Sequence, residues 1–204
     1  MLGILQVTSK SIKPVLVLWA SMYLFVLILV GMNIGGNANI IYLITQFIFI
    51  PLSGILFLHL FNDLFGSEHS TFLHTFYKGK VEKMYGAYLM LYMLPLIVLC
   101  TLIDLRYEGF EAIPASILLL SQALLFTCIT LILFVITTDL SISITISVLY
   151  LSIELATFGN VWNLIHIFYM NLQEPIVLSA VYHTLIVNFV LGLIGYRFFK
   201  MLVS

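Results

Sequence analysis

Between Lys13 and Asp63 the chain carries no Asp, Glu, Lys or Arg. A water-soluble domain places about a quarter of its residues in those four types and spreads them along its length. A membrane-spanning helix needs roughly 20 mostly apolar residues in succession. The uncharged stretch is long enough for two such passes. The rest of the sequence agrees: of 204 residues, 62% are hydrophobic and 8% charged, and mean hydropathy is +1.16. The predicted class is an all-α polytopic membrane protein. A net charge of −1 offers no basic surface to nucleic acid.

Apolar runs and the polar residues between them predict six transmembrane helices, at about 14–32, 38–62, 84–103, 112–137, 140–158 and 176–196. Pro14 suits a first helical turn, where its missing N–H costs nothing. Gly35 and Gly36 mark a short turn after the first span. Asp139 marks a tight turn after the fourth. Asp104, Arg106, Glu108 and Glu111 form an acidic loop after the third. Residues 1–13 read as an amphipathic N-terminal helix on the membrane surface, with Lys10 and Lys13 near anionic headgroups. Residues 14–204 read as one six-span domain.

Basic residues near span ends are retained on the cytoplasmic face. Lys10, Lys13, Lys78, Lys80, Lys83, Arg197 and Lys200 fall on one side of the six-span scheme, and Arg106 on the other. Both termini are therefore expected inside. The stretch 155–173 is uncharged and contains Trp162, Phe168 and Tyr169. Reading it as a seventh span would move Arg197 and Lys200 outside. It also holds Asn160, Asn163, His166, Asn171 and Gln173, many amides for a lipid-facing helix. The expectation is a re-entrant or interfacial helix before span six.

Enzyme signatures are missing. There is no H-E-x-x-H and no G-x-x-x-x-G-K-[ST]. Ser53-Gly54 lacks the first glycine of a G-x-S-G pattern; a lone Ser with His183 as a remote base does not make a dyad. His69 and His74, five apart, do not stack on one helical face. Cys100 and Cys128 lie inside apolar runs and read as packing residues. The chain is expected to be no enzyme and to bind no cofactor or metal of its own.

The polar segment 63–83 is more informative. Ser67 can cap a helix, and Glu68 would sit in its favoured first turn. Phe72, Leu73 and Phe76 follow at helical spacing, and Gly79 stands where a helix ends. An aromatic-faced helix there either rests on the bilayer or docks a cytoplasmic protein through Phe72, Phe76 and Tyr77.

This loop and its flanks resemble the permeases of ABC transporters of the ABC-2 type. An acidic residue, a Ser/Thr, an apolar helical stretch and a basic residue opening the third span read here as Glu68, Thr71, Phe72–Tyr77, then Lys80 and Lys83. The six-span layout, the surface N-terminal helix, the short fourth-to-fifth turn and the re-entrant stretch extend the likeness over most of the chain. The chain departs by lacking a Gly before the Thr and a Pro-x-x-Arg segment after it.

The resemblance implies a cytoplasmic coupling helix between spans two and three, with Glu68, Thr71, Phe72, Leu73, Phe76 and Tyr77 docking a separate ATPase subunit. ATP and Mg would be bound on that subunit. A second permease chain, identical or not, would complete the pathway in the cytoplasmic membrane of a bacterium. Export of an amphipathic or hydrophobic substrate (peptide, lipid-like or drug-like) is the implied function. The alternative is a substrate-binding membrane subunit of an energy-coupling importer, which also fits six spans into this length.

Polar residues inside spans are the pathway candidates. Gln46 lies in the second span, Asn188 in the last, and both could equally bond between helices. Glu154 is the acid within a span. Counted inward from residue 158 it lies about 6 Å deep at ~1.5 Å per residue, which reads as an outer-interface anchor or a pathway residue. In the resembled family the second and fifth spans face the dimer axis, which implies Gln46, Ser53 and Glu154 ahead of Asn188.

Overall fold

The computed structural model describes residues 9–33, 37–65, 81–157, 168 and 176–203. Six helices follow in order: α1 Ser9–Gly31, α2 Ala38–Phe65, α3 Val81–Arg106, α4 Ala112–Thr137, α5 Leu140–Ala156 and α6 Leu178–Val203. Among the described residues there is no strand. The predicted coupling helix (Glu68, Thr71, Phe72, Leu73, Phe76, Tyr77) lies outside the described residues, as do residues 1–8 and, apart from Phe168, the predicted re-entrant stretch.

Four of the helices hold a stretch long and apolar enough to cross a membrane: Lys13–Gly31, Ala38–Leu60, Tyr85–Arg106 and Ala112–Thr137. α5 and the Val181–Arg197 part of α6 are shorter apolar helices. At ~1.5 Å per residue, α5 reaches only about 26 Å, short of a hydrocarbon core of about 30 Å. The outward faces carry large apolar side chains, among them Val17, Leu24, Met90, Leu94, Ile186 and Ile194. In water such a surface would aggregate; in hydrocarbon it needs no cover.

Boundaries shift where helices continue past the apolar run. α1 is already helical at Ser9, so Lys10 and Lys13 are continuous with the helix of the first apolar run. Pro14 consequently sits in its second turn and leaves the Lys10 carbonyl without its i→i−4 donor. α3 extends through Arg106, and Asp104 Oδ2 accepts from the N–H of Ala112 at 3.3 Å, tying the end of α3 to the start of α4. The turn at Asp139 is as tight as its sequence implies. Thr138 closes α4 in the left-handed conformation, and Asp139 caps α5 by accepting from the N–H of Ile142 at 3.0 Å.

α4 is the centre of the bundle, packed against α2, α3, α5 and α6, while α1 lies against α2 and α3. Lipid tails are as apolar as leucine, so close contact rather than escape from water must hold these helices together. Glycines permit that contact. A Cβ on Gly54 would stand 2.6 Å from the Phe126 ring and 2.9 Å from Thr130 Cγ2, which places α2 hard against α4. On α6, Gly192 takes the Leu124 side chain at its surface, and its carbonyl accepts from Cys128 Sγ at 3.3 Å.

Pro51 in α2 and Pro95 in α3 each remove a backbone donor. Tyrosines from neighbouring helices supply hydroxyls nearby. Tyr92 donates to the carbonyl of Phe49 and Tyr88 to that of Ser53 at 2.7 Å, one on either side of Pro51. Tyr23 donates to the Pro95 carbonyl at 3.0 Å. Trp19, Tyr23, Phe49 and Tyr92 form one aromatic cluster joining α1, α2 and α3.

Candidate functional site

All four pathway candidates, Gln46, Ser53, Glu154 and Asn188, are buried. Three of them lie in one polar layer that crosses the bundle. Gln122 Nε2 on α4 donates to Gln46 Oε1 on α2 at 3.1 Å. The adjacent residue of α4, Ser121, accepts at 3.5 Å from Asn188 Nδ2 on α6. Neighbours on a helix lie on different faces, so one step along α4 serves two partner helices at one depth. Ser121 Oγ passes its own proton to the Leu118 carbonyl at 2.7 Å.

Glu154 joins this layer from α5. Its Oε1 accepts from the backbone N–H of Phe168 at 2.9 Å. The Phe168 ring packs edge-on against Phe47, centroids 4.7 Å apart, and Phe47 is the neighbour of Gln46. Contacts therefore run from Glu154 through Phe168 to α2, then across to α4 and α6.

The level of Glu154 in the bundle follows from its distance to the α4–α5 turn. α4 and α5 leave the same turn. At ~1.5 Å per residue, Glu154 lies about 21 Å along α5 from that turn, and Gln122 about 23 Å back along α4. They share a level. α4 runs on to Ala112, about 38 Å from the turn, whereas α5 stops at Ala156. The last turn of α5 therefore stands at the level of Gln122 and not at the level of Ala112.

Glu154 is the buried charged side chain among the described residues. Two amide oxygens of the layer, Gln122 Oε1 and Asn188 Oδ1, are buried and find no partner among the described residues. An unpaired buried carbonyl costs about 1–3 kcal/mol, so these are acceptors in reserve for a water or a polar ligand group.

Ser53 stands apart from the layer. Its Oγ donates to Ile50 O at 2.7 Å within its own helix, and its carbonyl takes the Tyr88 hydroxyl. His183 is exposed on α6. Thr45, Thr130 and Ser147 likewise bond to carbonyls three or four residues back. Cys100 and Cys128 are free and buried in the apolar core. Among the described residues no group of three or more His, Cys, Asp or Glu could hold a metal ion.

Sequence reasoning missed Gln122, Ser121 and Phe168. Gln122 had a signal: it is an amide inside an apolar run, the criterion that picked Gln46 and Asn188. Phe168 had none, since nothing in its neighbourhood distinguishes it from other aromatics. No protein-family model matches the chain, and no curated protein or solved structure matches it either.

Proposed function

We propose that the chain is the permease subunit of an ATP-driven exporter of the ABC-2 type, moving an amphipathic or hydrophobic substrate. The observation that carries the reading is Phe168. It lies in the break between α5 and α6, yet it is buried against Phe47 and bonded to Glu154. A buried residue between the fifth and last helices is what the re-entrant stretch of such permeases would supply. Among the described residues, four helices long and apolar enough to cross a membrane, two shorter apolar ones and the tight turn between α4 and α5 support the same reading.

In this reading both termini and the loop after α2 face the cytoplasm. Glu68, Thr71, Phe72, Leu73, Phe76 and Tyr77 form the coupling helix, and ATP and Mg are held by a separate ATPase chain. A second permease chain completes the assembly. Transport is a population shift between inward and outward states driven by the ATPase. Gln46, Ser53, Glu154 and Asn188 act when the helices part, because in the closed bundle their side chains reach no surface. Gln122 Oε1 and Asn188 Oδ1 are then the free acceptors for a substrate's polar group.

The test is co-expression with an ABC ATPase encoded beside this chain. Phe72→Asp with Phe76→Asp abolishes co-purification of the ATPase while membrane insertion is unchanged. Full retention of the ATPase by that variant overturns the proposal.

A further inference from the structure

α1, α2 and α3 enclose a cleft of about 230 Å³ that opens on the outside of the bundle. It is apolar. Leu56 and Leu60 of α2 form its back with Tyr88 and Tyr92 of α3. The two tyrosine hydroxyls are already donated, to Ser53 and Phe49. At its mouth stand Leu16 of α1, 49% exposed, and Leu91 of α3, 66% exposed. Closed apolar cavities of about 150 Å³ stay dry and take up benzene; this one is larger and open to its surroundings. α1, α2 and α3 are helices long and apolar enough to cross a membrane, so what stands against the mouth is hydrocarbon.

Position along the helices sets the cleft near one membrane face. Leu16 is three residues from Lys13, and residues three apart share a helix face. Lys13 is exposed. Its ammonium group therefore belongs one turn above the mouth, about 5 Å toward water at ~1.5 Å per residue. Position 10 of α1, position 63 of α2 and positions 82 and 83 of α3 lie on the helix ends at this side of the bundle. A chain seated in the cleft would bring a phosphate to the level of Lys13.

We propose that the α1–α2–α3 cleft binds one bilayer phospholipid, its acyl chain against Leu56, Leu60 and Trp19 and its phosphate on Lys13. This site depends on the membrane location alone and stands or falls apart from the transport reading.

Trp19 lines the cleft and reports on it. The chain has two tryptophans, so Trp162→Phe leaves Trp19 as the single fluorophore. The full chain in that background is reconstituted in vesicles containing brominated-chain phosphatidylglycerol, or brominated-chain diacylglycerol, which has the chains but no phosphate. Quenching of Trp19 is expected to saturate, and to do so at a mole fraction about fivefold lower for the phospholipid, the advantage of one lysine near an anionic group. Lys13→Gln, at an exposed position, removes that advantage and leaves the diacylglycerol curve unchanged. Leu60→Phe with Leu91→Phe narrows the cleft and removes the saturable part for both probes. Three results would overturn the proposal. Quenching that only rises in proportion to mole fraction means general lipid contact. Absence of quenching means that protein covers the cleft. An unchanged ratio between the probes in Lys13→Gln means that no phosphate is held there.

Discussion

Glu154 Oε1 accepts a 2.9 Å hydrogen bond from the backbone N–H of Phe168. A carboxylate two residues from the end of one helix thus holds a point in the break before the next. The Phe168 side chain uses that anchor to fill a place against Phe47. The carboxyl group is buried, and this bond satisfies the N–H of Phe168, a residue that is not helical.

Replacing the acceptor tests this directly. Glu154→Gln keeps an oxygen at the position and should leave Phe168 protected. Glu154→Leu strands the N–H and should cost about 1–3 kcal/mol. Hydrogen–deuterium exchange at the Phe168 amide reads the difference, with faster exchange in Glu154→Leu only. Equal exchange rates in the two variants would show that the bond does not order the segment.

The Gln46–Gln122 pair should behave as a unit. Gln46→Leu alone leaves the Gln122 amide in an apolar interior without its partner. Adding Gln122→Leu removes the orphan and should restore part of the lost stability. The expected coupling is about 0.6 kcal/mol, the average for bonds between helices in a membrane, and at most about 1.7 kcal/mol. Thermal unfolding of the single and double variants in detergent gives the cycle; additive effects would mean that the two amides are energetically independent.

Two glycines should respond in opposite directions. The Cβ of Gly54→Ala meets the Phe126 ring, which is itself buried, so the helices must separate. A loss of about 1–3 kcal/mol is expected, as for other overpacked contacts. Gly86, within α3, has nothing within 4 Å of its Cβ position. Gly86→Ala should gain about 0.5–1 kcal/mol through reduced chain entropy. Melting temperatures that move the same way for both would refute the close approach of α2 and α4.

Asp139→Ala should cost about 1 kcal/mol, because α5 loses the acceptor for its Ile142 N–H. Asp139→Ser keeps a capping oxygen and should recover most of it. Comparison of the two melting temperatures is sufficient, and equal losses would rule out capping as the cause.

The helices themselves were legible in the residues. A run such as 112–137 leaves the backbone no partner but itself in hydrocarbon, so it becomes helix from Ala112 to Thr137 as its composition implies. Asp139 declared its turn by local capping chemistry that needs no distant partner. Helix ends outside the apolar core were less legible. Ser9–Lys13 and Asp104–Arg106 continue their helices because polar residues near water can stay helical.

Which helix faces meet was beyond the sequence. Lipid-facing Leu94 and core-facing Leu96 are chemically the same, so periodicity marks no inner side where both faces are apolar. Gln46 and Asn188 could be singled out as costly polar residues, but their partners Gln122 and Ser121 are remote in the chain and were chosen by packing. The depth of Glu154 depends on α5 being shorter than α4, a comparison between two helices. Composition and local chemistry determined that this chain makes apolar helices and where most of them turn. Only the tertiary structure decided which polar groups share a layer, because that is set by close contact between faces that hydrophobicity cannot tell apart.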